Sequence, residues 1–112
     1  MTPSPYDPIV RGCTASIGLQ FMQQDLFTRE VSFVDLGGAV VTLEMTTADG
    51  ALSSWASPTD LSVDLRLAIA VRDLTPEQTS ALPLGVALVR WRVQYPDKRV
   101  EQFLAATIEI QD

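Results

Sequence analysis

From Ala15 the chain alternates: Ala15, Ile17, Leu19 and Phe21 are apolar, with Ser16, Gly18 and Gln20 between them. A period of two places one set of side chains on a core face and predicts a half-buried strand. Gln23-Gln24-Asp25 breaks this run, and Val31 with Phe33 begins a second strand. Gly37-Gly38 interrupts the apolar sequence, which predicts a bulge, a tight bend or a close backbone approach. The alternation resumes with Val41, Leu43 and Met45 inward and Thr42, Glu44 and Thr46 outward. Ala48-Asp49-Gly50 is a turn signal, and residues 51–60, rich in Ser and Ala, are predicted to form a loop carrying Trp55.

The longest alternating stretch follows. Leu61, Val63, Leu65, Leu67, Ile69 and Val71 occupy successive odd positions. As one strand at about 3.3 Å per residue they would span roughly 36 Å, long enough to bend or cross between sheets. Thr75-Pro76-Glu77-Gln78 predicts a helix start, with Thr75 as the cap, Pro76 at the first helical position and Gln78 three residues after the cap. Leu82-Pro83-Leu84-Gly85 then stops it. Ala87, Val89, Trp91, Val93 and Tyr95 form the next strand face, with Arg90, Arg92 and Gln94 opposite. Pro96-Asp97-Lys98 is a connecting turn. Val100, Leu104, Ala106, Ile108 and Ile110 form the inward face of a closing strand, so the last two strands are expected to be a hairpin.

The pattern predicts an all-β fold: a single antiparallel β-sandwich, immunoglobulin-like or jelly-roll-like, with about six or seven strands and one short helical turn near 76–81. The domain is expected over residues 10–112. Residues 1–9 carry Pro3, Pro5 and Pro8 and read as an extended Pro-rich arm. That arm is either a frayed terminus or a segment lying on a neighbouring subunit, anchored by Tyr6 and Ile9.

Composition narrows the chemistry. A chain of 112 residues that is 46% apolar suits one globular domain with its own core. No apolar run nears the roughly 20 residues of a membrane-spanning helix, and the start lacks the basic and apolar regions of a signal peptide. Eight basic against fourteen acidic residues leave a net charge of −6, which repels nucleic acid and anionic lipid, so neither is expected as a partner. Cys13 is the only cysteine and is expected to be a small buried thiol. The chain has no histidine, which removes the commonest general base and metal ligand.

Candidate chemistry is sparse. Asp60 and Asp64, four apart on the expected strand, would share a face with Ser62 and could offer oxygens to a hard cation, but a solvated face is the plainer reading. Gly37-Gly38 lacks the Lys and Ser/Thr of a phosphate loop. Arg90 and Arg92 share one strand face, and Arg66 and Arg72 are expected to share another. They are expected to meet carboxylates within the domain or on a neighbour. Trp55 either packs on its own domain or meets a subunit or ligand. No catalytic residue, metal ligand or cofactor is expected.

The stretch Leu61–Val71, then Asp73-Leu74-Thr75-Pro76-Glu77-Gln78-Thr79, Ala81-Leu82-Pro83-Leu84-Gly85, Val89–Tyr95 and Pro96-Asp97-Lys98-Arg99-Val100 resembles small β-sandwich structural proteins of tailed bacteriophages. These include the N-terminal domain of the siphophage upper baseplate protein and related prophage tail and head proteins. Arg11-Gly12 and Val34-Asp35-Leu36-Gly37-Gly38-Ala39 extend the likeness to roughly residues 10–110. The resemblance implies a non-enzymatic virion component, made in the host cytoplasm. It would pack with other copies of itself and with other virion proteins as a homo-oligomer in the tail, baseplate or head. The interface residues expected on this reading are Tyr6, Ile9, Trp55, Arg90 and Arg92. The alternative is a small carbohydrate-binding module using Trp55 and the Asp60/Asp64 loop.

Overall fold

The computed structural model describes residues 4–112. Its strands are β1 (Ile9–Val10), β2 (Ala15–Gln20), β3 (Met22–Gln24), β4 (Val31–Phe33), β5 (Val40–Thr46), β6 (Leu52–Ala56), β7 (Ser62–Asp64), β8 (Ile69–Leu74), β9 (Gly85–Gln94) and β10 (Val100–Gln111). One short helix, α1 (Pro76–Ser80), lies between β8 and β9. The fold is all-β with a single helical turn, as the pattern predicts. A five-stranded sheet in the order β1-β10-β9-β5-β6 faces a three-stranded sheet in the order β2-β8-β7, and β3 and β4 form a separate hairpin.

Alternation builds the core where it is unbroken. Val41, Leu43 and Met45 of β5 and Ala87, Val89, Trp91 and Val93 of β9 meet Ile17 of β2 and Ala70 and Leu74 of β8 in one buried cluster. Trp91 is its largest fully buried side chain. Phe21 packs edge-on against Trp91 with ring centres 5.8 Å apart, and against Phe103 at 5.0 Å. Such edge-to-face pairs add about 0.5–1.5 kcal/mol beyond area burial.

Several expectations need correction. Residues 61–71 are not one strand. Asp64 accepts hydrogen bonds at Oδ1 from the backbone N–H groups of Arg66 and Leu67, and Ala68 adopts a left-handed φ of 52°. This local turn makes β7 and β8 a hairpin and switches the inward parity from odd to even positions. Leu65 is therefore 60% exposed while Ala68 and Ala70 are fully buried. For the same reason Arg66 and Arg72 do not share a face, since Arg66 lies in the turn.

Residues 52–56, expected as loop, instead pair with β5 as β6, with Trp55 opposite Leu43. Val100, expected inward, is 57% exposed. The β9–β10 register shifts between Gln102 and Leu104, and this bulge reverses the faces before it. The extra residue, Phe103, is the one that reaches Phe21.

The helix start matches its signature. Thr75 accepts from the Gln78 N–H, and the Gln78 side chain accepts from the Thr75 N–H, a complete capping box. Buried Thr79 then ties the turn to the β1–β2 connection. Its hydroxyl donates to the Cys13 carbonyl at 2.8 Å and accepts from the Gly12 N–H at 3.1 Å. Cys13 itself is exposed, not buried, because it lies in the β1–β2 turn that these bonds hold. At Gly85, φ is 121° and an added Cβ would sit 3.0 Å from that of Ala48, so this helix-to-strand corner requires glycine.

Candidate functional site

The β3–β4 hairpin has six strand residues and none is buried. Met22 pairs with Phe33 and Gln24 with Val31. Between the strands Asp25 organises the tip: its Oδ1 accepts from the N–H groups of Phe27 and Thr28, at 2.8 and 2.9 Å. The Asp25 N–H donates to the Glu30 carbonyl, and Arg29, at φ 61°, donates back to the Asp25 carbonyl. Those amide donors hold the Asp25 carboxyl below its ordinary pKa.

A fixed turn of this kind leaves no freedom for its apolar residues to fold inward. Leu26 is 89% exposed and Phe27 96% exposed, with Met22, Val31 and Phe33 also exposed behind them. An isolated two-stranded hairpin is marginal in water, and a cluster of large apolar side chains on it marks an interaction surface. The sequence pattern marks Gln23-Gln24-Asp25 only as a break between strands, although Gln23 and Gln24 belong to β3, and it assigns nothing to residues 26–30. The signal that could have found the site was the Leu26-Phe27 pair, two large apolar residues with no periodic partners in a polar turn.

The expected interface residues fall in three places. Tyr6 and Ile9 dock on the chain's own sheet. Ile9 is buried opposite Ile110 in a parallel pairing of β1 with β10, and the Ser4 hydroxyl donates to the Thr107 carbonyl. Trp91 donates its indole N–H to the Tyr6 hydroxyl at 2.7 Å. Burial holds the Tyr6 phenol above its ordinary pKa, partly offset by that hydrogen bond.

Arg90 and Arg92 lie on the outer face of the five-stranded sheet, where Arg92 meets Glu44 at 3.2 Å within the domain. Trp55 is half-buried on the inner face of β6, with the Arg72 guanidinium 5.2 Å from its ring centre. Arg72 also donates to the Asp60 carbonyl oxygen. Beside them lies a recess of about 350 Å³, bounded by Ala51, Ser53, Trp55, Arg72 and Leu82.

The Asp60/Asp64 pair does not form a ligand site. The Asp60 carboxylate accepts from the Ala56 N–H and Asp64 caps the β7–β8 turn, so both are engaged with backbone. Among the described residues no group of three His, Cys, Asp or Glu side chains could hold a metal ion. Comparison with protein-family models and with the curated proteins finds no match to this chain.

Proposed function

We propose that this chain is a non-enzymatic structural subunit of a tailed-phage virion that acts by packing against other proteins of the particle. The observation that carries the reading is the β3–β4 hairpin, whose Leu26 and Phe27 are held outward by the Asp25 turn. Burying both side chains in a partner would gain several kcal/mol at about 1.5–3 kcal/mol for each fully covered side chain. The phage assignment rests on the resemblance of the capped helical turn, the Ala81-Leu82-Pro83-Leu84-Gly85 segment and the strands flanking them.

A carbohydrate-binding reading draws no comparable support. Its carboxylates are engaged with backbone N–H groups, and Trp55 has the Arg72 guanidinium over its ring.

The test is mass spectrometry of density-banded particles made with the parent chain and with Phe27→Ser. The expected result is parent peptides at a fixed stoichiometry and loss of the variant from particles. A chain absent from clean particles yet abundant in the lysate refutes the virion role. Equal incorporation of Phe27→Ser refutes the hairpin as the contact.

A further inference from the structure

We propose that the β6 edge is a self-pairing site, joining two copies of this chain antiparallel about a two-fold axis at Ser53. β6 is an outer strand of the five-stranded sheet. Natural sheets protect such edges with charge, proline or brevity. Of the other edge strands in the two larger sheets, β1 is two residues long and follows Pro8, and β7 is three residues long and ends in Asp64. β2 is likewise free of charge and proline, so composition alone does not single out β6; its register does. β6 reads Leu52-Ser53-Ser54-Trp55-Ala56, without charge or proline, and Leu52 is 63% exposed.

The ladder sets which backbone groups are free. Ser57 donates to the Val41 carbonyl and Thr47 to the Ala51 carbonyl. With the β5–β6 register, hydrogen-bonded pairs therefore fall at 43/55 and 45/53, while 42/56, 44/54 and 46/52 turn their amides away from β5. The outward groups of Ala56 are already taken, since its N–H donates to the Asp60 carboxylate and its carbonyl accepts from the Asp60 N–H. Leu52 and Ser54 remain.

Two free residues one apart are self-complementary. With Ser53 opposite Ser53 of a second copy, Leu52 faces Ser54 of that copy and Ser54 faces its Leu52. Each pair exchanges two bonds, so every free backbone group on both edges is used. On the inner side the same register sets Trp55 of the second copy opposite Ala51, a small residue at the rim of the 350 Å³ recess. The large side chain meets the small one and the open space. An arbitrary extended peptide could use the same four groups. The reciprocal fit of Trp55 to Ala51 is what singles out a second copy.

This deepens the assembly reading by naming one partner, and its test is separable from that of the hairpin. Sedimentation velocity on the full chain, from ~10 µM to ~1 mM, covers the range expected for a short interface. The expected mass rises from the 12.2 kDa of one chain toward twice that value. Ser54→Pro removes an outward N–H without touching the β5 ladder and is expected to remain monomeric.

Ser53→Asp and Ser53→Lys provide a second arm that leaves the backbone alone. Each variant by itself opposes like charges across the axis and stays monomeric, whereas an equimolar mixture pairs opposite charges and restores the dimer. A parent that stays at 12.2 kDa throughout, or a dimer unaffected by these substitutions, overturns the proposal. Phe27→Ser is expected to dimerise like the parent, so failure at the edge and failure at the hairpin give different results.

Discussion

Tyr6→Phe removes one oxygen and leaves the aromatic ring in place, so it isolates the hydrogen bond that ties the arm to the core. In the parent, the fully buried Trp91 donates to Tyr6 at 2.7 Å. The variant leaves that indole N–H without its acceptor, a loss of about 1–3 kcal/mol for a buried donor. Tyr6 is only half-buried, so water can reach the vacated position and the lower half of that range, about 1–2 kcal/mol, is expected.

For a domain of this size each kcal/mol lowers Tm by about 4 °C, so a fall of about 4–8 °C is expected. Urea unfolding followed by tryptophan fluorescence should shift its midpoint with an unchanged m-value, because the surface exposed on unfolding hardly differs. A change below about 0.3 kcal/mol would refute the claim that this hydrogen bond ties the arm to the core. A concentration-dependent midpoint that persists in Ser54→Pro and is lost in Tyr6→Phe would show instead that the arm docks on a second chain.

Alkali gives an independent check. The phenol pKa is raised by burial, so the docked arm is fully supported below the unfolded pKa of about 10 and loses that support as pH rises through the higher folded value. The parent should therefore weaken above pH ~10 by more than Tyr6→Phe does, with Tyr95 common to both.

Two further outcomes follow from the hydrogen-bond geometry. Thr79→Val, near-isosteric, deprives the Cys13 carbonyl and Gly12 N–H of their partner and should cost about 1–3 kcal/mol in chemical denaturation. Cys13, already exposed, should then label faster with a thiol reagent. At the hairpin tip, the depressed Asp25 pKa means that its capping contribution is present above the ordinary carboxylate range and is lost as pH falls through the folded value. The Phe27 and Thr28 amide resonances should therefore titrate together with a midpoint below about 3.9, and Asp25→Asn should abolish that shared transition.

Strand content was legible wherever one face stays buried along its length. The alternation in β2, β5 and β9 predicts inward positions that the core contains, Ile17, Leu43 and Trp91 among them. The helical turn was legible because Thr75, Pro76 and Gln78 act through local geometry. Periodicity misled where a local turn preserved the apolar alternation but reversed its direction. Nothing in the spacing of Leu65 and Leu67 distinguishes them from Leu61, and the decisive interaction is Asp64 with the two amides that follow it. β6 was missed for a related reason: an edge strand of small polar residues has only Trp55 to mark its inner face, and its pairing is set by β5. The bulge at Phe103 did mark the pattern, since Gln102 is polar on the otherwise apolar even-numbered face and Phe103 is apolar out of phase, but the apolar Val100 lets the alternation be read straight across it.

The hairpin tip and the β6 edge would associate through different forces. The hairpin offers side chains, Leu26 and Phe27, so its contact depends on apolar area and should strengthen in sulfate, which is excluded from protein surface. The edge offers the amides of Leu52 and Ser54, and its specificity lies in register. Moving the axis to Ser54 would set Leu52 against the occupied groups of Ala56, and moving it to Leu52 would set Ser54 against Gly50, whose N–H already donates to the Thr47 carbonyl. Pairing at the proposed edge would therefore set orientation between copies, while the hairpin would supply affinity without setting an angle. A subunit that must repeat at fixed geometry and also attach to an unlike neighbour needs both kinds of contact, and the two proposed contacts lie on separate elements, so removing either is expected to leave the sandwich between them folded.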